Sequence, residues 1–534
     1  MKYYPMHMHL HSVHHTPASM EGHIYNAYML GMEYIRFTDH DTHTGVDKKD
    51  IKDFDFSRGV LEYENEYGAV CGWTPLYDCT PEVSSGALTL RSRGESVGVE
   101  FYSSGNRHNR ALVTDVTLTL NFDHKIKSDA RIIIDILLSM HPPKHDETHF
   151  RYVLGKPSST ADESVASKRL EARADGIYTL ALSSDIGACA EVGGLDNAFR
   201  GISITLDGEG ELSLSGFKIN CIHNYENAVV RQRELADKIG KKYGVKPFVT
   251  TEISGAGQHK NCYSTKVPVL NYSMGKITEE EAIAHVLSHG GIFCYNHTFE
   301  SPTYKRKQFT REELDAIVEY ESKYLIDNRV LGASLMEVGF PMGRGLFTIA
   351  DYLKLWDNIS LSGIFITADG DSDSHSNRRS WYENNNFATW IGAPEALPFP
   401  IDEDVFNASL VAGNVYTGDP VFIGDGVRLT CLRANMGAVI ESDGGEYPVS
   451  FSLGEIKTEC TVRIIENGEC VKEENAKSGY TTTHLAHPTD GVSFVRAEAY
   501  TIDGRCILLT NPIYFVGKEF VGEIPPTRGA TVER

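Results

Sequence analysis

Seven residues near the N-terminus, Met6-His7-Met8-His9-Leu10-His11-Ser12, constrain this chain more than any other stretch. Along a β-strand successive side chains alternate faces. An extended backbone here puts His7, His9 and His11 on one side and Met6, Met8 and Leu10 on the other. The apolar side calls for burial, and histidine is seldom buried without a partner. The alternation therefore predicts a metal-binding row whose remaining ligands come from elsewhere in the chain. A purification tag is contiguous and would lack the apolar alternate face.

At 534 residues the chain exceeds what one core supports, so several domains are expected. Its net charge of −22 argues against nucleic acid as a partner. A small anionic substrate remains compatible, because bound divalent cations reverse the local field. No apolar run approaches the ~18 residues of a membrane span; the longest, Ile132 to Leu138, is broken by Asp135. The N-terminus has no signal-type apolar region, and the ten cysteines form no CxxC pair. These features predict a cytoplasmic protein with reduced thiols and no membrane partner.

The order of elements gives the domain plan. Strand, helix and strand follow within residues 1–40, a βαβ signature. From about Ser57 to Ser215 the chain runs in short β-type segments broken by Gly, Asn, Ser and Asp, which predicts a jelly-roll-like β-sandwich over 57–215. Its last segment, Gly208 to Ile219, weakly resembles the closing strands of carbohydrate-binding modules, so carbohydrate is the candidate ligand there. His141, His145 and His149 are spaced for a helix face, but Pro142 and Pro143 favour a polar loop. Alternation resumes over 216–417, with capping boxes at Thr278/Glu281 and Thr310/Glu313. The segments 1–56 and 216–417 together approach the ~250 residues of a (β/α) barrel. Residues 418–534 return to β texture and predict a small immunoglobulin-like sandwich.

Candidate ligands stand where the predicted parallel strands end: His9 and His11, His40, Glu252, His297, and Asp373 with His375. In a barrel such ends share one face. The segments His9-Leu10-His11-Ser12, Thr38-Asp39-His40-Asp41, Thr251-Glu252-Ile253-Ser254, His259, Asn296-His297 and Ser372-Asp373-Ser374-His375 resemble the PHP (polymerase and histidinol phosphatase) superfamily. The stretch from Phe494 to Tyr514 is similar to the C-terminal region of its carbaryl-hydrolase branch. The resemblance implies an α/β fold: a distorted (β/α)7 barrel interrupted by the sandwich and followed by the C-terminal domain. It also implies two or three divalent ions. His9, His11, Glu252 and Asp373 would hold the first. Glu252 would bridge to a second completed by His259 and His297. A third would use His40, His375 and one residue after the first strand, for which His14, His15 and Glu21 compete. The family usually carries Asp where this chain has His7.

Imidazole and carboxylate donors suit Zn, Mn or Fe, and the absence of Cys argues against a closed structural zinc site. Two cations held by one carboxylate make a hydroxide nucleophilic at neutral pH. The expected function is a metal-dependent hydrolase of a small phosphate ester. The alternatives are hydrolysis of an ester, amide or carbamate, or a glycan-binding protein on a disused scaffold. Asp41 and His43 are candidate proton donors, or partners of a ligand histidine. Arg378 with Arg379, the run Lys305 to Lys307, and Arg344 are candidate phosphoryl clamps against the alternative of solvated loops. Glu337 reads as a support for the ligands rather than as one of them.

Overall fold

The computed structural model describes residues 1–14, 16, 18–45, 48–54, 56, 62–64, 70–102, 111–143, 146–156, 165–223, 225–300, 308–341, 343–376 and 387–530. Strand outweighs helix about two to one. The helix–strand alternation gives β1 (Lys2–His7), α1 (Met20–Met29), β2 (Tyr34–His40), α2 (Tyr225–Tyr243), β3 (Lys246–Ile253), β4 (Lys260–Cys262), α3 (Glu279–Ser288), β5 (Phe293–Tyr295), α4 (Arg311–Asp327), β6 (Leu335–Glu337), α5 (Ile349–Leu361), β7 (Thr367–Asp369), β8 (Ala388–Ala393), α6 (Glu403–Ala412) and β9 (Val415–Gly418). The capping boxes at Thr278 and Thr310 form as the sequence predicts, each worth about 1 kcal/mol. Helix α2 stops at Gly244, which takes the left-handed φ of 69°.

The (β/α)7 barrel does not form. These strands lie in one mixed sheet ordered β7-β6-β5-β4-β3-β2-β1-β8-β9, and it runs on into the C-terminal strands instead of closing. Pairing is parallel for β1/β2, β2/β3, β5/β6 and β6/β7, but β4 and β8 run antiparallel to both their neighbours. Six residues between β3 and β4 are too few for the crossover helix that a parallel pair needs, and β8 enters antiparallel, so the regular (β/α) repeat breaks at both. The TIM-like description fails with it. A single parallel bridge, Leu10 to Ser374, brings the segment after β7 back beside the extension of β1. That bridge brings Asp373 and His375 to His9 and His11, while the pairing of β2, β3, β4 and β5 gathers His40, Glu252, His259 and His297.

The inserted unit is a two-sheet sandwich, wider than 57–215. Lys48–Phe54 pairs along Glu209–His223, so its strands span 48–223. Its sheets enclose Leu118, Leu120, Ile132, Ile134, Phe101 and Trp73. Of the predicted polar loop, His141 ends the strand Arg131–His141 and His149 lies in Asp146–Gly155, paired with Leu137; His145 lies outside the described residues. The unit is fastened to α1: Ser19 Oγ donates to the Met140 carbonyl at 2.6 Å, and Asp196 accepts from the N–H groups of Met20 and Glu21. In the C-terminal unit Val492–Thr501 and Cys506–Thr510 continue the main sheet, facing a second sheet built on Arg428–Cys431 and Tyr447–Ser452.

The alternation in the opening stretch holds for its apolar half. Met6 and Met8 are fully buried with Tyr34, Phe248 and Leu335, and Leu10 packs with Phe37 and Val249. Each such side chain contributes about 1.5–3 kcal/mol, which fixes the register of the histidines behind them. No helix among the described residues is long and apolar enough to cross a membrane.

Candidate metal centre

Backbone past β1 stays extended, and two hydrogen bonds clamp it. Thr38 N–H donates to the Leu10 carbonyl at 2.9 Å, and His11 N–H to the Ser374 carbonyl at 3.0 Å. The second sets His11 beside Asp373. Ring nitrogens of His9 and His11 (Nε2 in both) lie 3.1 Å apart and face one carboxylate oxygen, Asp373 Oδ1, at 3.2 and 2.9 Å. Glu252, at the end of β3, is the hub of the other half. Its Oε1 lies 3.1 Å from His259 Nδ1, 3.3 Å from His297 Nε2 and 3.4 Å from His9 Nε2. Its Oε2 lies 2.5 Å from His40 Nδ1 and 3.7 Å from His11 Nε2.

Donor atoms gather into overlapping groups able to hold an ion: His9/His11/Asp373, His40/Glu252/His259, His11/His40/His375, and His9/Glu337/Asp371. Ligands bonded to one ion at about 2.0–2.2 Å sit roughly 3 Å from each other, the spacing seen here. The donors are imidazole nitrogens and carboxylate oxygens, so the residues fit Zn, Mn or Fe. His297 and Asp373 both take positive φ, 23° and 45°, which non-glycine residues adopt at a cost of about 1–3 kcal/mol.

The electrostatics suit divalent cations. Burial opposes charge on Glu252, yet His9, His259, His297 and His40 hold its carboxyl well below the usual range. Asp373 is likewise opposed by burial and held low by His9, Arg344, His11 and His375. Burial pulls His9 down, but Asp373, Glu337 and Glu252 push it well above the ordinary imidazole value. His11 is driven down by burial and by His375.

A second layer holds the ligands. Glu337 Oε1 lies 2.6 Å from His9 Nδ1, and its Oε2 accepts the His297 N–H at 2.7 Å. Asn296 Nδ2 donates to Glu252 at 2.9 Å. Arg344 Nη2 donates to Asp373 and, at 3.0 Å, to Glu300. Asp39 accepts from Ser12 N–H at 2.7 Å and Ser12 Oγ at 2.6 Å, tying the residue after His11 to the one before His40. The cluster opens to solvent at His259 and His375, whose side chains are 36% and 44% exposed.

Every residue expected in the first two sites, His9, His11, Glu252, Asp373, His259 and His297, is brought together, as are His40 and His375. Glu21 is not. Its carboxylate binds Lys242 Nζ at 2.5 Å and Tyr243 OH at 2.8 Å, with His141 Nδ1 at 3.6 Å, and His11 takes the place it was expected to fill. His14 is buried near His223, and His15 lies outside the described residues. His7 leaves the row as well: burial, aided by His23, holds its pKa at about 3, and it joins none of the ion-binding groups. Asp41 is not placed as a proton donor. It accepts from Tyr272 OH at 2.6 Å and from the N–H groups of Ser254 and Gly255, bracing the loop after Glu252. The side chain of His43, and Arg378, Arg379 and Lys305 to Lys307, lie outside the described residues.

Asp369 and Asp371 escaped the sequence reading. Asp371 Oδ1 lies 3.8 Å from His9 Nδ1, and Asp369 accepts from Tyr263 OH at 3.0 Å. The alternating acids of Asp369-Gly370-Asp371-Ser372-Asp373 carried the signal, since an extended segment aims all three to one side.

No family model matches the chain, and no curated protein matches it. Among solved structures, a thermostable cellulase derived from Rhodothermus marinus Cel12A aligns over 32% of this chain and 100% of its own, at 12% identity and a TM-score of 0.21. A family 12 xyloglucanase from Bacillus licheniformis aligns over 33% of this chain and 100% of its own, at 6% identity and a TM-score of 0.20. An exo-beta-agarase covers 34% of this chain and 23% of its own, at 10% identity and a TM-score of 0.13. At these scores neither fold nor activity transfers. The family label expected from the motifs, with its phosphoesterase assignment and its barrel, finds no counterpart in these matches.

Proposed function

We propose that this protein is a metal-dependent hydrolase that cleaves a small anionic ester at the His/Asp/Glu cluster. The observation that carries this reading is the convergence of His9, His11, His40, Glu252, His259, His297, Asp373 and His375, drawn from distant parts of the chain, with neighbouring donor atoms about 3 Å apart. Bound divalent cations would supply Lewis-acid activation of water and neutralise charge on the ester.

The chain's own residues supply the rest. Glu337 fixes the ring orientation of His9 and, by accepting the His297 N–H, the backbone of His297. Asn296 and Asp41 hold Glu252 and the loop that follows it. Arg344 leaves Asp373 one oxygen facing His9 and His11 while neutralising the other. Substrate enters from the side of His259 and His375, the exposed ligands. An overall charge of −22 makes the cations the natural anchor for an anionic group.

The test is turnover of p-nitrophenyl phosphate, p-nitrophenyl acetate and a phenyl carbamate by the full chain supplied with Mn or Zn. His9→Ala and Asp373→Ala serve as controls. Metal-dependent turnover of the phosphate, lost in both variants, supports the reading; the same dependence for the acetate or the carbamate alone keeps a metal-dependent hydrolase but overturns the anionic ester as its substrate. Turnover insensitive to chelator or to both substitutions overturns it.

A further inference from the structure

At the end of β3 remote from Glu252 lies a cleft of 470 Å³, between α2, the first residues of β3 and the segment that enters α6. About 20 Å of strand separates it from the metal centre, so the proposed reaction does not use it. Its volume falls within the range of small-molecule sites. Pro247, Phe248, Pro400 and Ile401 give it apolar walls.

The charged groups that border the cleft are paired off, with one exception. Lys246 Nζ donates to Asp237 at 2.6 Å, and Lys266 Nζ donates to Asp404. Glu403 lies 2.9 Å from Arg36 Nη1 and accepts from the N–H and Oγ of Thr265 at 2.8 and 2.6 Å. Asp402 caps α6 by accepting the Asp404 N–H at 2.9 Å. The exception is Arg233, on the α2 wall, which has no carboxylate at ion-pair distance among the described residues. Its Nε donates to the Val249 carbonyl at 3.3 Å and so anchors the guanidinium against β3. Its Nη1 and Nη2 make no hydrogen bond among the described residues, yet neither is sealed from solvent. Burial draws the guanidinium pKa below its ordinary value, only partly offset by Glu403. An anion in the cleft would relieve that penalty.

We propose that this cleft is a second binding site, for a small monocarboxylate whose two oxygens take Arg233 Nη1 and Nη2 and whose apolar body lies against the Phe248 and Ile401 wall. With Nε already bonded, the remaining pair of parallel donors is the Nη1/Nη2 end of the fork, which matches the two oxygens of a carboxylate. The surroundings favour a monoanion over a phosphate. Asp237, Asp402 and Glu403 also border the cleft and would repel a second negative charge, and the apolar walls offer a phosphate nothing. No part of this proposal depends on the metal-centre reading.

The experiment is a saturation-transfer NMR titration of benzoate against the full chain, with and without Zn. Benzamide is the uncharged probe of the same shape, and inorganic phosphate is the anion without an apolar body. We expect benzoate to bind with the same affinity in both metal states, and benzamide and phosphate to bind about tenfold or more weakly. Arg233→Gln should weaken benzoate about tenfold or more. Arg233→Lys keeps the charge without the fork and should weaken it about threefold or more; it also serves if the first variant melts early. Absence of benzoate binding, equal binding of benzamide or phosphate, or parental affinity in either variant overturns the site. Benzoate binding that needs Zn places the carboxylate at the metal centre and overturns it too.

Discussion

Replacing Glu337 by Gln keeps the shape of a side chain that touches no substrate, yet it should loosen the metal centre. In the native protein both carboxylate oxygens are engaged, one with His9 Nδ1 at 2.6 Å and one with the His297 N–H at 2.7 Å. Gln keeps one acceptor oxygen for the His297 N–H but presents an NH2 donor to His9 Nδ1, so one charge-assisted bond becomes neutral and the other is lost. At about 1 kcal/mol or more each, metal affinity should fall by roughly 2 kcal/mol, or about thirtyfold. That lies within the 10–100-fold expected for the partner of a ligand histidine. The metal-free protein should respond in the opposite sense. Burial and Glu337 together push the carboxyl of Asp369 to about 7 and that of Asp371 well above its usual value. Removing the Glu337 charge relieves that repulsion, so the apo melting temperature should hold or rise. The assay pairs a competition titration against a chromogenic chelator with thermal melts of the stripped protein. Affinity within threefold of the parent, or a loss of affinity matched by a loss of apo stability, would refute the reasoning.

Three further outcomes follow from the same geometry. Carboxylates hold His9 and His259 above the ordinary imidazole value against the opposing effect of burial, so both carry protons near neutrality until metal arrives. Metal binding should then release protons, and affinity should climb with pH; a titration in weak buffer near pH 6.5 that shows no release contradicts this. Arg344→Ala uncovers the buried Asp373 carboxylate and should cost about 3 kcal/mol in the stripped protein but less with metal bound, which melts with and without metal will show. Glu21→Gln should leave metal content unchanged and lower stability by about 1 kcal/mol at pH 7, allowing for solvent screening. The His141 contact, aided by Lys242 and Tyr243, holds the Glu21 carboxyl at about 2. Its contribution is therefore full above the usual carboxylate range and lost as pH falls towards 2, where the two proteins should converge.

The ligands were legible because each stands at or just past a strand end beside a local signal: HxH after an apolar alternation, Asp-His closing β2, Glu near the end of β3, Asn-His after β5. What the sequence did not reveal was how the strands join. The alternation of helix and strand is compatible with a closed barrel, but β4 and β8 are short antiparallel members whose direction depends on partners far away in sequence. The third site shows the same gap. Glu21 is close to His11 in the chain, yet α1 turns it towards Lys242 and Tyr243, contacts more than two hundred residues distant. His7 was misread because alternation in one strand says nothing about which neighbour covers it. Asp371 was missed because the acid next to it in the alternation, Asp373, already satisfied the motif.

The central claim is that these residues cage more than one cation. Native mass spectrometry of the full chain, prepared with Mn and Zn and checked by elemental analysis, tests it most directly. We predict more than one ion per chain, falling in His9→Ala and in Glu252→Gln. A parent protein that flies without metal after such preparation contradicts the account.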